Sequence, residues 1–227
     1  MTTTPPAPRS ETVQDTPSAG LDLTGFPTAT LEDGTALFRA HTVGYGPWYF
    51  DNTAGDEGGR FNLTGPKGTC YVADTPEAAL RERFGKKLSR NRWIDTDSVG
   101  RTVVSLLTVG RTRETALIST PDAAAYEITT ELAGAVSYDI SQAWAARFDA
   151  EPFDGIYYTA RFSAGGPANA WAVFGPTGEH TEGEDPVTVP AAGVCRGVGI
   201  EVRDPAAHPA DLTVIRPMPL VNPVPDP

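Results

Sequence analysis

Two arginines, a tyrosine and a glutamate stand out in the first half of the chain by the company they keep. Arg39 interrupts the apolar run Leu37-Phe38-Arg39-Ala40-His41, and Arg60 sits in Gly58-Gly59-Arg60-Phe61-Asn62. Tyr71 and Glu82 lie on one continuous stretch, Thr69-Cys70-Tyr71-Val72-Ala73-Asp74-Thr75-Pro76-Glu77-Ala78-Ala79-Leu80-Arg81-Glu82. A guanidinium offers a planar fork of donors that grips a phosphate or a pair of hydroxyls bidentately. A fixed carboxylate stabilises the positive charge that develops on a sugar as a glycosidic bond breaks. The set is equipment for holding and cleaving an anionic dinucleotide. Arg39 is the stronger of the two arginines, because a charge inside an apolar strand needs a reason to be there; the alternative for Arg60 is a surface ion pair with Asp56 or Glu57.

These residues need a scaffold, and the local signals supply one. Residues 35–41 and 69–73 have the length and residue types of strands, the first preceded by an Asp33-Gly34 turn, and both are expected to border a sheet. Thr75 or Asp74 caps a helix with Pro76 and Glu77 in its first turn, and Ala79, Leu80, Arg83 and Phe84 carry the helical period until Gly85 ends it. Glu82 then shares a face with the small residues Ala78 and Ala79, which leave room for a ligand, with Arg81 and Arg83 at its flanks. Its bland alternative is an exposed glutamate paired with those arginines. Tyr71 either stacks on a base or fills the core. The cluster Tyr45-Gly46-Pro47-Trp48-Tyr49-Phe50 is either an aromatic wall over a base, with Tyr49 and His41 near it, or a hydrophobic plug.

Farther on, residues 102–109 and 115–119 read as strands joined into a hairpin by Gly110-Arg111-Thr112-Arg113-Glu114. Thr120-Pro121 opens a helix with Ala124, Ile128 and Leu132 on one face, and a second helix carries Ile140, Trp144 and Phe148. Residues 155–160 and 170–174 are two more strands around the loop Ser163-Ala164-Gly165-Gly166-Pro167. Residues 177–190 are acidic and turn-rich, and 199–202 and 211–215 are late edge strands. Strand pairs mixed with unevenly placed helices predict an α+β domain, with mixed, mostly antiparallel sheets and flanking helices. One domain over residues 21–216 is expected. Residues 1–20, poor in large apolar side chains, read as a disordered tail, and the proline-rich residues 217–227 as a second, extended one.

Composition narrows the function classes. The 227-residue chain has Lys+Arg 18 against Asp+Glu 29, a formal charge of -11, which repels nucleic acid and anionic membranes. No apolar run reaches the roughly 20 residues of a membrane span, and the N-terminus lacks the basic-then-apolar order of a signal peptide, so a cytoplasmic protein is expected. Cys70 and Cys195 make no ligand motif, and a buried thiol is the expectation for Cys70. His41, His180 and His208 have no mutual spacing suited to a metal, and no metal site is expected. There is no G-x-G-x-x-G or Walker loop, so arginine side chains must supply the positive charge that backbone amides supply in those folds.

Taken in order, these motifs, followed by Asp154-Gly155-Ile156-Tyr157-Tyr158-Thr159-Ala160-Arg161 and Ala170-Trp171-Ala172-Val173-Phe174, resemble the RES domain over roughly residues 25–176. The family is named for an arginine, a glutamate and a serine. By motif, the arginine falls on Arg39 or Arg60, the glutamate on Glu82 and the serine on Thr159. The resemblance implies a fold like that of the ADP-ribosyltransferases. It further implies NAD as substrate, consumed by hydrolysis or phosphorolysis or by ADP-ribose transfer to a protein. Toxins neutralised by a separate antitoxin of the Xre helix-turn-helix type are common in the family, and a homodimer is compatible with it. Glu82 would face the ribose cation as nicotinamide leaves, Arg39 and Arg60 would hold the pyrophosphate or ribose, and Tyr71 the base. Thr159 departs from the family pattern, since threonine keeps the hydroxyl but stiffens χ1. Two function classes follow: an NAD-consuming enzyme, or a RES-like domain that binds NAD or a protein partner without turnover.

Overall fold

The computed structural model describes residues 13–135, 137–162 and 168–205. In chain order the elements begin with β1 (Thr28–Leu31), β2 (Ala36–Thr42), β3 (Trp48–Phe50) and β4 (Lys67–Ala73), with a short 3-10 turn at Gly55–Glu57. Helix α1 (Pro76–Asn91), β5 (Trp93–Asp95), α2 (Thr96–Gly100), β6 (Thr102–Thr108) and β7 (Arg113–Leu117) follow. The remainder is a 3-10 segment at Pro121–Tyr126, α3 (Asp139–Asp149), β8 (Gly155–Thr159), β9 (Asn169–Pro176), β10 (Gly178–His180), β11 (Val187–Pro190), α4 (Ala191–Gly197) and β12 (Glu201–Arg203).

Eight strands form one sheet in the order β1-β7-β8-β9-β4-β2-β6-β11. Its pairs are antiparallel except β7 with β8, and two small sheets, β10 with β3 and β12 with β5, sit beside it. Period-two alternation gives each strand two kinds of face. One apolar cluster joins Leu31 of β1, Leu37 of β2, Leu107 of β6 and Val173 of β9 with Trp48 and Phe50. Strands so far apart in the sheet order share a core only because the sheet rolls over on itself. A second cluster packs α3, through Trp144 and Phe148, against β8 and β9. The third seats α1 and α4 on the β2–β6 side through Leu80, Phe84, Leu88, Val104 and Cys195. The mixed, mostly antiparallel sheet with flanking helices is the architecture expected from the strand and helix signals.

Several local expectations need correction. Strands β2 and β4 are interior strands, not borders. β6 and β7 do not form a hairpin: β6 lies between β2 and β11, and β7 between β1 and β8. A charged turn reverses the chain without deciding which edge a strand pairs with. Gly85 does not end α1, which runs on to a left-handed cap at Arg92 (φ 62°). Gly85 is there because the Phe162 ring lies against it, so that a Cβ would come within 1.9 Å of the ring. The helix expected through Ala124, Ile128 and Leu132 stops at Tyr126, and Glu127 turns left-handed (φ 65°). Thr129 N–H and hydroxyl both donate to Gln14 Oε1, at 2.7 and 2.9 Å. Gln14 is itself buried, and Asp15 carbonyl accepts from Trp144 Nε1 at 2.9 Å, so the ordered chain reaches into the stretch expected to be disordered. The acidic 177–190 region contains β10 and β11, and the 199–202 strand is β12, paired with β5 rather than with the large sheet. The loop 163–167 and the strand expected at 211–215 lie outside the described residues, as do residues 1–12 and the proline-rich C-terminus.

Candidate functional site

The site begins where the sheet comes apart. β2 and β4 are neighbours, yet they pair at a single position, Phe38 with Ala73, and diverge from there. Past that point Arg39, Ala40, His41 and Thr42 of β2 and Tyr71 and Val72 of β4 line a cleft of about 540 Å³, closed at its far end by the bridge of Thr69 to Asp51. α1 contributes Glu82 and Arg83 to its wall, the glycine loop contributes Arg60, and Tyr138 and Arg161 come from the segments before α3 and after β8. Tyr45 and Tyr49, edge to face at 4.8 Å, stand on another wall, so the aromatic cluster divides: these two face the cleft while Trp48 and Phe50 are core.

The two glycines and the asparagine of Gly-Gly-Arg-Phe-Asn each have a packing reason. A Cβ on Gly59 would lie 2.4 Å from the Tyr71 ring, and one on Gly58 would lie 1.9 Å from the Thr53 carbonyl oxygen. Buried Asn62 donates to Asp51 Oδ2 at 2.8 Å and to the Thr53 carbonyl at 3.0 Å. Tyr71 donates to Asn62 Oδ1 at 3.0 Å and accepts from Phe61 N–H at 2.7 Å. Its hydroxyl is thereby committed to holding the loop, and burial pushes that hydroxyl well above the ordinary tyrosine range. Tyr71 lines the cleft with its hydroxyl engaged in this way. The loop so fixed projects Arg60, which donates to the Ala135 carbonyl and lies over the Tyr138 ring, 4.7 Å from its centroid.

Arg39, Arg60, Arg83 and Arg161 all line the cleft, and among the described residues none has a carboxylate within ion-pair distance. Elsewhere Arg81, Arg111, Arg113, Arg147 and Arg203 each have one and Arg90, Arg92, Arg101 and Arg196 have none among the described residues, so what sets the cleft apart is that four such cations converge on one cavity. Arg39 Nη1 instead donates to the Pro47 carbonyl at 2.6 Å and touches Cys70 Sγ at 3.0 Å, and Arg83 donates to Thr42 Oγ1 at 2.6 Å. In a chain of net charge -11, cations kept clear of carboxylates mark a place for an anion.

Facing them is Glu82. Tyr158 donates its hydroxyl to Glu82 Oε2 at 3.0 Å, while Oε1 is buried with no hydrogen-bond partner among the described residues. Burial pushes the Glu82 carboxyl up; the Tyr158 hydrogen bond, the Arg60 charge and the backbone N–H of Arg161 pull it back toward the ionised form. An unpartnered buried carboxylate oxygen costs about 1–3 kcal/mol. A ligand hydroxyl would supply the missing bond.

His41 is buried on the cleft wall, its Nε2 2.8 Å from Ser105 Oγ. Thr159 is not brought to the cleft. It is the exposed last residue of β8, and its backbone N–H donates to Ser119 Oγ at 2.9 Å. Strand alternation sends Tyr158 inward and Thr159 outward, and Ala160, next on the inward face, is buried and has no hydroxyl. Tyr158, Arg161 and Tyr138 have no role in the sequence-based assignment. The alternation along Gly155-Ile156-Tyr157-Tyr158-Thr159 was the signal for the first of them. The other two sit on irregular segments that carry no such signal. Cys70 and Cys195 are both buried and free, as expected of Cys70. No cluster of metal-ligating side chains occurs among the described residues, and no helix among them is long and apolar enough to cross a membrane.

No curated protein sequence matches the chain. Among solved structures, a chain of the M. tuberculosis MbcT-MbcA toxin–antitoxin complex is similar, with a TM-score of 0.50 at 16% identity over 74% of this chain and 90% of that one. At that identity the likeness speaks for the fold. Residues 36–190 match the RES domain, a span from the first residue of β2 to the last of β11 that contains the diverging strands, the glycine loop and Glu82. On that match over most of its length, the chain belongs to the RES domain family.

Proposed function

We propose that the protein cleaves the nicotinamide–ribose bond of NAD. The observation that carries this reading is the buried Oε1 of Glu82, without a hydrogen-bond partner among the described residues, in a cleft whose arginines have no carboxylate partner among them. The arginines hold the pyrophosphate, and Glu82 accepts a hydrogen bond from a ribose hydroxyl beside the reacting carbon. The bond from C1′ to the nicotinamide nitrogen breaks with its electron pair leaving on nicotinamide, and the positive charge left on the ribose meets the carboxylate. The acceptor then adds at C1′. If it is water, ADP-ribose forms and a proton is released; phosphate or a protein side chain gives phosphorolysis or ADP-ribosylation. Tyr158 keeps Glu82 oriented and ionised.

Purified protein incubated with NAD, with and without phosphate, is expected to release nicotinamide, and Glu82→Gln is expected to lower release by about 10²–10³-fold. The second reading is a cleft that binds NAD or a protein partner without turnover. It is favoured by one observation: neither Thr159 nor Ala160 brings a hydroxyl to the cleft where the family pattern has serine. NAD binding with equal, background nicotinamide release from wild type and Glu82→Gln would decide for it.

We further propose a toxin held in check by a separate antitoxin protein, on the strength of the family and of the toxin–antitoxin complex that shares the fold. Induction in bacteria is expected to arrest growth and lower cellular NAD. Unchanged growth with unchanged NAD would contradict the toxin role.

A further inference from the structure

His41 is the end of a hydrogen-bonded chain that crosses three strands. In β2, β6 and β11, Arg39 lies opposite Ser105, and Ser105 opposite Thr188, so the three share one face of the sheet with His41. His41 Nδ1 lies 3.3 Å from the Thr42 carbonyl oxygen, His41 Nε2 lies 2.8 Å from Ser105 Oγ, and Ser105 Oγ lies 2.6 Å from Thr188 Oγ1. Ser105 is wholly buried, whereas Thr188 lies exposed on the outermost strand.

Donor and acceptor chemistry fixes the direction of this chain. A carbonyl only accepts, so Nδ1 carries a proton, and in the neutral ring Nε2 must accept from Ser105, which in turn accepts from Thr188. When His41 takes up a second proton, Nε2–H donates, and both hydroxyls must reverse: Ser105 donates to Thr188, and Thr188 donates to water. Only a hydroxyl at the solvent end permits both directions.

We propose that Ser105 and Thr188 are positioning residues that set the proton of the cleft histidine from the outer edge of the sheet. Desolvation and then the Arg39 charge hold His41 below the ordinary histidine range, while hydrogen bonds that the ring donates to the Thr42 and Tyr45 backbone oppose them and Arg83 on α1 adds to the depression. The charged groups acting on it, Arg39 from its own strand and Arg83 from the helix, are both cations. Burial and the two cations together favour the neutral ring. As pH falls it adds a cation beside two arginines, and it does so through Ser105 and Thr188 even when a ligand fills the cleft. The hydroxyl pair favours the charged ring more than the neutral one, since hydrogen bonds to an ionised group are about twice as strong.

The test is a side-chain NMR titration of the full chain, whose three histidines are sorted by a His41→Gln variant. In the wild type, neutral His41 is expected to carry its proton on Nδ1. Thr188→Val is expected to move the His41 midpoint to lower pH, Ser105→Ala to move it farther, and Thr188→Ser to titrate with the wild type. A neutral ring protonated on Nε2, or Thr188→Val and Thr188→Ser titrating together, would overturn the inference. Thr188 is on the surface, so the two Thr188 variants, which decide the outcome, do not depend on repacking the core. Only the kinetic consequence rests on the function proposed above: the Michaelis constant for NAD should rise with pH through the His41 midpoint, and at lower pH in Thr188→Val. Midpoints that separate as stated in a protein that does not bind NAD would support the relay and count against NAD chemistry alone.

Discussion

Strand β4 has two unlike edges. Along one it is zipped to β9 through every residue from Lys67 to Ala73, and it places Cys70 and Val72 in the core. Along the other it meets β2 once, at Ala73, is bridged through Thr69 to Asp51 just after β3, and turns the stretch between toward a cleft of arginines, tyrosines and Glu82. The same strand is a structural element on its left and a site wall on its right. Backbone groups left unpaired by the divergence need partners that a ligand, water or side chains can give. Here the site is opened by withholding sheet pairing, and its stability comes from the paired side.

That contrast breaks first where stability and function are made to trade places. Val173→Asp, a charge placed in the core opposite Cys70, is expected to cost on the order of 4 kcal/mol, lowering the thermal midpoint by roughly 10 °C in calorimetry. Arg39→Met on the open edge should leave stability within about 1 kcal/mol. It should weaken NAD binding by about tenfold or more, measured by titration calorimetry. A large stability loss from Arg39→Met would erase the distinction between the two edges.

Smaller effects sharpen it. Because the Glu82 carboxyl is raised by burial, the folded protein holds that proton more tightly than the unfolded chain. Its ionisation therefore removes stability as pH rises above the ordinary carboxylate value and through the raised one. Glu82→Gln is expected to raise the thermal midpoint at neutral pH by up to about 4 °C, with the gain disappearing in acid. Tyr158→Phe removes a hydrogen bond that favours the ionised form, so the acid limb of the activity profile should move toward neutral pH, with activity recovered above it.

Much of this was legible in the residues. Strand and helix signals located β2, β4, α1, α3, β8 and β9, and Thr75 caps α1 by accepting from Ala78 N–H as its type suggests. Arg39, His41, Tyr49, Arg60, Tyr71 and Glu82, singled out by motif, all line one cleft. What the residues did not disclose was long-range. The divergence of β2 from β4 is a property of pairing between strands far apart in sequence, and nothing local in Leu37-Phe38-Arg39 announces it. Gly85 looked like a stop because its packing partner, Phe162, is remote. Tyr71 looked free to meet a base, but its hydroxyl is spent on Asn62 and Phe61 of a neighbouring loop. Thr159 was placed by motif spacing alone, and the alternation of β8 carries it to the wrong face.

In the proposed reaction the cleft opened between β2 and β4 binds NAD and Glu82 assists the breaking of its nicotinamide–ribose bond. It is tested most directly by following nicotinamide release by chromatography from wild type and Glu82→Gln at NAD concentrations shown by calorimetry to saturate both. Release by the wild type is expected, with at least about 100-fold less from Glu82→Gln while NAD still binds. Equal rates from the two saturated proteins would contradict it.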